Sequence, residues 1–323
     1  MKLQTSSSIE NNTAMAVSSF SLSDTPHIYK LMYSSMYQNK EEAVIRELVA
    51  NGQDGHAKIG KTDVPVTIHL PTQDVPELIV SDEGIGMSLE EVTSIYPVYG
   101  ASTKRDTNDD IGGFGYGAKS PFAISESFTV KTTKDGVTTH MSCFLDEGIP
   151  KFVVFNTTKT GAPSGTVVSV PVTDTLIQQR LINATKTMFN FFKVKPTVIN
   201  GPKDFSYPDL GPSFNYDADY NIVSNTAVDI PIYSTSDNYI VVTVGPFLYR
   251  LPKNIKNTLQ DKNQVDAALL KELLGRDEIL VLSFGIGDLE LAPSREVIED
   301  TTANTKTILS KISLVVKQMK SVM

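Results

Sequence analysis

The chain is poor in cysteine, in long apolar runs and in positive charge, and each shortage excludes a class of protein. Because Cys143 is the only cysteine among 323 residues, neither an internal disulfide nor a cysteine-based zinc site can form within one chain. No apolar run approaches the length that spans a bilayer, and the opening stretch MKLQTSSSIENNTA has no hydrophobic core of a secretory signal. We therefore expect a soluble protein in a reducing, intracellular compartment, with peripheral membrane attachment through a partner left open.

The charge balance is acidic. The formal net charge is -8 at pH 7, whereas a nonspecific grip on a nucleic-acid backbone needs clustered cations. We therefore expect that nucleic acid is not the main ligand, although a local basic groove stays open. Hydrophobic residues make up 40% of the chain and charged residues 20%, which is typical of a globular protein with a sizeable core.

Loop-forming composition divides the chain into four parts. Residues 1–24 are rich in Ser, Thr and Asn, and we predict a flexible N-terminal arm there. Residues 201–225 are dense in Pro, Gly, Asn, Asp and Tyr, which indicates a linker. Since the chain length suits two domains, we predict a first domain over residues 25–200 and a second over residues 226–323.

The hydrophobic patterns predict an α/β fold. Residues 26–55 carry apolar side chains at helical spacing, and a break near Gln38 and Asn39 suggests two helices. Short β-branched runs predict strands at VPVTIHL, ELIVSD, SFTVKTT, THMSCFL, KFVVFNTT and TVVSVPV, and a helical stretch follows at 174–193. Helices followed by strands indicate an α/β sandwich. A smaller α/β domain is predicted after it, with strands near 239–244, 247–251 and 279–284 and helices near 264–274 and 308–319.

The first polar cluster lies on the second predicted helix, in the stretch RELVANGQDGH. Glu47, Asn51 and Asp54 are spaced four and three residues apart, and neighbours at those spacings share one helical face. Apolar residues flank this face, and Gly52 and Gly55 would thin the surface beside a ligand. A ligand-binding face and an ordinary solvated face both fit the pattern.

The second cluster is LIVSDEGIGMSLEEV, in which a strand delivers Asp82 into a turn formed by Gly84 and Gly86. A carboxylate fixed at a strand end, beside backbone that only glycine permits, can accept a hydrogen bond from the exocyclic amine of a base. Met87 then leads into a predicted helix that begins with a capping box in SLEE. Taken alone, the pattern DxGxG also fits a hairpin turn.

The third cluster is the glycine run IGGFGYGAKS at residues 111–120. A Walker P-loop needs GxxxxGK[ST], and Ala118 stands where that motif requires glycine. A dinucleotide fingerprint needs GxGxxG directly after a strand, whereas the loop sequence TNDD precedes these glycines. Bare backbone N–H groups before the predicted helix start PFAI favour phosphate, and Lys104 and Lys119 would add charge. A glycine-rich loop without a ligand is the open alternative.

Single residues elsewhere carry weaker signals. Thr166 stands at the start of the apolar strand in SGTVVSV, where a lone threonine is usually just a strand residue. The four histidines lack the spacing of metal ligands, and we expect structural or surface roles for His27, His56, His69 and His140.

In their order and spacing, these clusters resemble the nucleotide-binding motifs of the GHKL superfamily: DNA gyrase, heat-shock chaperones of the ninety-kilodalton class, sensor histidine kinases and mismatch-repair MutL. The resemblance implies a Bergerat-type ATP-binding α/β sandwich with ATP and Mg²⁺ as cofactors, followed by a smaller domain like a transducer or middle domain. Within the superfamily, RELVANGQDGH, GAKSPFAIS and GDLELAPSREVIED look most like phage rIIA-type proteins.

The resemblance implies a role for each matching residue. Glu47 matches the general base that orients and deprotonates the attacking water, and Asn51 matches the magnesium ligand. Asp54 would line the pocket, while Asp82 would read the adenine amino group with support from Thr166 through a water. Three matches would shape the adenine pocket, namely Gly84, Gly86 and Met87. The others would lie on a lid over the phosphates, namely Lys104, Gly113, Phe114, Gly115, Gly117, Lys119 and Ser120, although many GHKL proteins carry no lysine at the position of Lys119.

The distal stretch LAPSREVIED adds one residue to the predicted site. Arg295 follows an apolar strand and precedes a helix, as does the arginine of the heat-shock chaperone middle domain that reaches the γ-phosphate. A fixed guanidinium suits that charge. The alternative is a surface arginine that pairs with Glu296 or Glu299.

These features together predict a Mg-ATP-dependent conformational switch with slow ATP hydrolysis. Kinase activity is disfavoured because the sequence has no evident phospho-acceptor histidine helix. The resemblance also implies an ATP-dependent homodimer and, for an rIIA-type protein, an rIIB-type partner and a role in lysis control or counter-defence in the host cytoplasm. The alternatives are a nucleotide-responsive binding module with negligible hydrolysis and an Hsp90-like chaperone. DNA manipulation as in type II topoisomerases is disfavoured by the acidic charge and the lack of an identifiable strand-cleaving tyrosine motif.

Overall fold

A computed structural model of the chain describes residues 25–99, 117–224, 240–260, 274 and 278–322. The predicted N-terminal arm lies outside these ranges, as do the predicted helix near 264–274, apart from Leu274, and the first part of the glycine run. Within the described ranges, no helix has the length and apolar character needed to cross a membrane.

A seven-stranded mixed sheet forms the first part of the structure, in the order β5-β4-β3-β6-β2-β1-β7. Neighbouring strands are antiparallel, except that β1 and β7 are parallel. The alternation of buried side chains explains the pairing, since Val130, Val168 and Val80 lie opposite one another on three adjacent strands. The strands are β1 Thr67–His69, β2 Glu77–Asp82, β3 Ser127–Lys134, β4 Val137–Asp146, β5 Ile149–Lys159, β6 Gly165–Pro171 and β7 Thr197–Ile199.

Among the residues that the structure describes, three α-helices accompany this sheet: α1 Thr25–Lys30, α2 Lys40–Ala57 and α3 Thr175–Met188. A π-helical turn, Leu31–Ser35, follows α1, and the chain then turns before α2, so the predicted break near Gln38 and Asn39 is confirmed. The side chain of Asp174 caps α3 by accepting hydrogen bonds from the first helical N–H groups. Because α2 packs against β2, β6 and α3, it lies at the centre of this part of the fold.

Two short helical segments differ in type from the predicted α-helices. The capping box forms as predicted, because Ser88 N–H donates to Glu91 Oε2 at 2.7 Å and Glu91 N–H donates to Ser88 Oγ at 3.2 Å. The helix that it opens is a short one that becomes a π-helical turn, Glu91–Ile95. The predicted helix start PFAI is wrong, since Gly117–Ala123 is a 3-10 helix with Pro121 inside it. Proline has no N–H to continue a helix, so the chain turns into β3 instead.

The second part of the structure is a smaller four-stranded sheet with helices. Its order is β10-β9-β11-β8, in which β9 and β11 are parallel and the other pairs are antiparallel. Its elements are β8 Tyr220–Ser224, β9 Ile240–Val244, β10 Phe247–Arg250, α4 Lys253–Gln260, β11 Glu278–Phe284 and α5 Thr302–Val322. Since β8 pairs with β11, the segment predicted as a linker over 201–225 ends in a strand of this sheet.

The two sheets share a hydrophobic core. Phe192, just after α3, lies 5.0 Å from Phe247 of β10, measured between ring centroids in an edge-to-face contact. The guanidinium of Arg46 on α2 lies over the rings of Phe247 and Tyr249, at 5.5 Å and 5.8 Å from their centroids. The mixed α/β sandwich with a smaller α/β unit confirms the predicted fold class, and these contacts hold the smaller unit against the start of α2.

Candidate functional site

The polar face of α2 is buried. Glu47 and Asp54 expose only 6% and 3% of their surface, and Asn51 between them is half-buried. The interpretation of this face as an ordinary solvated one is therefore wrong for both carboxylates. Burial of an ionised carboxylate costs free energy unless it is paired or hydrogen-bonded, so the arrangement points to a site rather than to a surface.

Glycines let α2 approach the end of β2 closely. A Cβ atom on Gly84 would lie 2.5 Å from the carbonyl carbon of Gly55 and 2.9 Å from Asp82 Oδ1. A Cβ atom on Gly86, where φ is +67°, would lie 2.0 Å from the backbone oxygen of Thr133. No side chain fits at either position, so both glycines predicted for the site are required by the packing around Asp82.

Asp82 is fixed at the end of β2 by backbone donors. Its Oδ1 atom accepts hydrogen bonds from the N–H of Gly84 at 2.8 Å and from the N–H of Thr166 at 3.3 Å. Thr166 lies directly opposite Asp82 in the β2–β6 ladder. Thr166 thus contacts Asp82 directly through its backbone N–H, and the expected support through a water stays a prediction.

Thr132 of β3 joins three parts of this region and was not predicted. Its Oγ1 atom accepts a hydrogen bond from Met87 N–H at 2.8 Å and lies 3.2 Å from Thr166 Oγ1. It also donates to the backbone oxygen of Gly165 at 3.3 Å. In the sequence, Thr132 reads as an ordinary β-branched strand residue, and only the β3-β6-β2 strand order reveals its position.

His56 is a structural residue that holds the loop after Asp82. Its Nε2 atom accepts a hydrogen bond from Glu83 N–H at 2.7 Å, and its Nδ1 atom donates to the backbone oxygen of Val64 at 2.9 Å. These partners require a neutral ring with its proton on Nδ1. Burial lowers the pKa of His56 below its usual value.

The last glycine of the run lies against Glu47. A Cβ atom on Gly117 would lie 2.0 Å from Glu47 Oε2. Any larger residue would therefore displace the carboxylate. The other predicted residues of the run and lid, Lys104, Gly113, Phe114 and Gly115, lie outside the described residues.

Lys119 and Ser120 are both buried. Lys119 Nζ donates to the backbone oxygen of Val98 at 2.9 Å, and it lies 5.8 Å and 5.5 Å from the ring centroids of Tyr96 and Tyr99. Burial lowers the pKa of Lys119 to about 8. Ser120 Oγ has no hydrogen-bond partner among the described residues. Lys119 therefore connects the chain on the two sides of residues 100–116, a contact that the predicted phosphate role does not include.

Arg295 reaches Glu47 from the second part of the structure. Arg295 Nη1 lies 3.5 Å from Glu47 Oε1, and both side chains are buried. The guanidinium is carried by the arginine loop (residues 293–296), which lies between Leu291 and Ile298, two residues joined by an antiparallel bridge. The alternative of a surface arginine is wrong, because Arg295 is buried against the predicted general base.

Three residues around this ion pair were not predicted. Arg46 Nη1 donates to the backbone oxygen of Arg295 at 2.5 Å. The carboxylate of Glu296 accepts hydrogen bonds from the backbone N–H groups just before α2. Burial raises the pKa of the Tyr37 hydroxyl, and the negative charges of the nearby Glu47 and Glu296 raise it further. The sequence offers little signal for the contacts of Arg46 and Glu296, since their hydrogen-bonded partners are more than 200 positions away.

The donor chemistry of this region fits magnesium and a phosphate. Asn51 supplies an amide oxygen beside two buried carboxylates, and oxygen donors suit Mg²⁺, which usually keeps several water ligands. Arg295 Nε is buried without a hydrogen-bond partner among the described residues, so the guanidinium has donor capacity for an anion. No group of three or more His, Cys, Asp or Glu residues gathers as a metal site in the parts of the chain that the structure describes.

The mixed α/β sandwich is consistent with the fold of a GHKL-type ATPase domain, and comparison with known proteins supports this class for one part of the chain. Residues 37–150 match the family described as histidine kinase-, DNA gyrase B- and HSP90-like ATPase. The matched segment contains α2, the Asp82 turn and the glycine run. It also contains Thr132.

Similar proteins are bacterial chaperones. The chain is 29% identical to the chaperone protein HtpG of Psychromonas ingrahamii over 174 residues, which is 47% of this chain and 27% of that protein. It is 32% identical to HtpG of Pseudoalteromonas translucida over 139 residues, 36% of this chain and 22% of that protein. The chain thus matches only about a quarter of the length of these relatives.

Proposed function

We propose that the protein is a Mg-ATP-dependent conformational switch that hydrolyses ATP. The observation that carries the proposal is the buried contact between Glu47 and Arg295, which come from the two parts of the structure and are 248 positions apart. A carboxylate and a guanidinium that meet beside a predicted metal ligand match the groups that phosphoryl transfer requires. The family match over residues 37–150 supports the same chemistry.

On the adenine side, Asp82 is the residue proposed to recognise the base. Its carboxylate accepts a hydrogen bond from the exocyclic amine, and the N–H groups of Gly84 and Thr166 keep it oriented. Met87 is held beside it through Thr132. Recognition here needs no movement, because backbone groups already fix the carboxylate.

On the phosphate side, Asn51 would hold Mg²⁺, which when bound supplies charge stabilisation to the β- and γ-phosphates. Glu47 orients the attacking water and accepts its proton. Arg295 exchanges Glu47 for the γ-phosphate, since a phosphate offers more charge and more acceptor atoms than a single carboxylate. That exchange frees Glu47 to act as a base and links nucleotide to the position of the second unit.

The test compares wild type with Glu47→Ala. We expect the variant to bind Mg-ATP with unchanged affinity in calorimetry and to lose phosphate release. Unchanged phosphate release in the variant contradicts the proposal. If wild type binds ATP and releases no phosphate, the protein is instead a nucleotide-responsive binding module. Molecular mass measured with and without a nonhydrolysable ATP analogue tests the ATP-dependent homodimer that belongs to the same proposal.

The biological setting is a finer part of the proposal. The HtpG relatives favour a chaperone-like use of the switch, and suppression of the aggregation of a heat-denatured client would test it. The resemblance of three motifs to phage rIIA-type proteins favours a role in infection with an rIIB-type partner in the host cytoplasm. Co-purification of such a partner with the wild-type protein would distinguish this role from a chaperone's.

A further inference from the structure

The carboxylate of Glu296 binds the start of α2 from the second part of the structure. Its Oε1 atom accepts a hydrogen bond from Asn39 N–H at 2.7 Å, and its Oε2 atom accepts one from Gln38 N–H at 2.9 Å. The two residues are separated from Glu296 by 257 and 258 positions. This contact therefore joins the two units of the protein and is not a local cap.

The backbone at the start of α2 suits such a contact. Asn39 is the N-cap residue, and its own side chain makes no capping hydrogen bond. The N-terminus of a helix leaves N–H groups to be satisfied and carries a partial positive charge, so a carboxylate is the favoured partner there. A bidentate contact with charge on one side is stronger and more specific in direction than a neutral hydrogen bond.

Hydrogen bonds at two neighbouring residues, Arg295 and Glu296, fix the arginine loop against α2. Glu296 binds the backbone before α2, and Arg46 of α2 donates to the backbone oxygen of Arg295. Arg295 itself has a φ of 58°, in the left-handed region that non-glycine residues rarely adopt. A backbone in this conformation persists when the surrounding structure fixes it. Here the side chains of Glu296 and Arg46, one from each unit, fix it.

We propose that Glu296 is a positioning residue, which docks the arginine loop on the start of α2 and thereby sets the Arg295 guanidinium against Glu47. The docking itself stands on the hydrogen bonds and needs no nucleotide. Its effect on catalysis rests on the proposed function. The Glu296 carboxylate binds the backbone before α2, so its effect on turnover would come through the placement of Arg295.

The first test measures the docking by hydrogen–deuterium exchange of the Gln38 and Asn39 amides in the full chain. We expect Glu296→Ala to speed their exchange by about tenfold or more, and Glu296→Gln, which keeps one acceptor oxygen, to have a smaller effect. Glu299→Ala is the matched control, since Glu299 is exposed on the same stretch of chain. Wild-type exchange in Glu296→Ala would overturn the proposal.

The second test measures turnover. Misplacement of a group in phosphoryl transfer lowers the rate steeply, so we expect Glu296→Ala to lower kcat about tenfold or more and to leave KM for ATP nearly unchanged. The double variant Arg295→Ala/Glu296→Ala should be no slower than Arg295→Ala alone. Full turnover in Glu296→Ala, with Arg295→Ala slowed, would refute the positioning role. Failure of the proposed function gives a different result, because turnover is then unchanged in Glu47→Ala. The exchange rates of the Gln38 and Asn39 amides in Glu296→Ala still show whether Glu296 docks the arginine loop.

Discussion

The surroundings of Asp82 and of Glu47, which we propose as the adenine side and the phosphate side of the site, are built in different ways. Around Asp82, the hydrogen-bond donors are backbone N–H groups of its own turn and of the neighbouring strand. Gly84 and Gly86 pack so closely that neither position has space for a larger side chain. Around Glu47, the partner is a charged side chain that arrives from the second unit on the arginine loop. The first region is complete within the first part of the structure, whereas the second exists only when the two units meet.

This difference separates binding from switching. A carboxylate fixed by backbone donors does not depend on the position of the second unit, so under the proposed function nucleotide affinity would depend on the first part of the structure. An ion pair between two units can be broken by an anion that competes for the guanidinium, so under the proposed function the pair would respond to the γ-phosphate. Variants on the adenine side should change affinity, and variants on the phosphate side should change turnover.

The largest expected effect is that of Arg295→Ala. Arginines that stabilise the transferred phosphoryl group contribute on the order of a thousandfold to the rate, and we expect kcat to fall by about that factor while ATP affinity stays near wild type. Arg180→Ala is a matched control, since Arg180 also pairs with a carboxylate of α2, Glu41 at 3.3 Å, but is largely exposed. Steady-state kinetics and calorimetry measure both quantities. A large loss of affinity in Arg295→Ala would remove the contrast between the two sides.

Gly84→Ala should break the adenine side instead. The new Cβ atom would lie 2.5 Å from the backbone of Gly55, so α2 and the Asp82 turn must separate. Overpacking of this kind costs about 1–3 kcal/mol of unfolding free energy, and we expect ATP affinity to fall with it. Gly161→Ala is the control, because a Cβ atom there meets nothing within 4 Å. Thermal unfolding measures the stability of the two variants, and calorimetry measures their affinity for ATP. Wild-type affinity in Gly84→Ala would argue against a preformed base pocket.

Thr132→Val is a smaller change on the same side. The valine keeps the shape of the threonine but leaves the N–H of Met87 without its acceptor at 2.8 Å. A buried donor left without a partner costs about 1–3 kcal/mol, so we expect lower stability and weaker ATP binding. Thr129→Val, at an exposed position of β3, provides the comparison. Equal behaviour of the two variants in denaturant unfolding would mean that Thr132 does not hold Met87.

The sequence predicts the adenine side better than the phosphate side for a physical reason. Asp82 and its glycines lie within a few positions of one another, and helical spacing alone places Glu47 with Asp54. The contacts of Thr132 depend on a strand order that is not consecutive along the chain. Glu296 meets the start of α2 only through the packing of two units, and no local pattern encodes that packing. Even Arg295 was predicted by resemblance to a family, and its pairing with Glu47 came from the structure.

The smallest expected effect concerns protonation on the adenine side. Because the pKa of His56 is lowered in the folded protein, the unfolded chain binds more protons below about pH 6.5, and stability must fall as the pH falls through that region. The slope cannot exceed about 1.4 kcal/mol per pH unit for one group. We expect His56→Gln, which cannot titrate, to flatten this part of the pH–stability curve. Urea unfolding at pH 5, 6, 7 and 8 measures it. A wild-type slope in His56→Gln would assign the acid sensitivity to another group and leave the Asp82 turn insensitive to protonation.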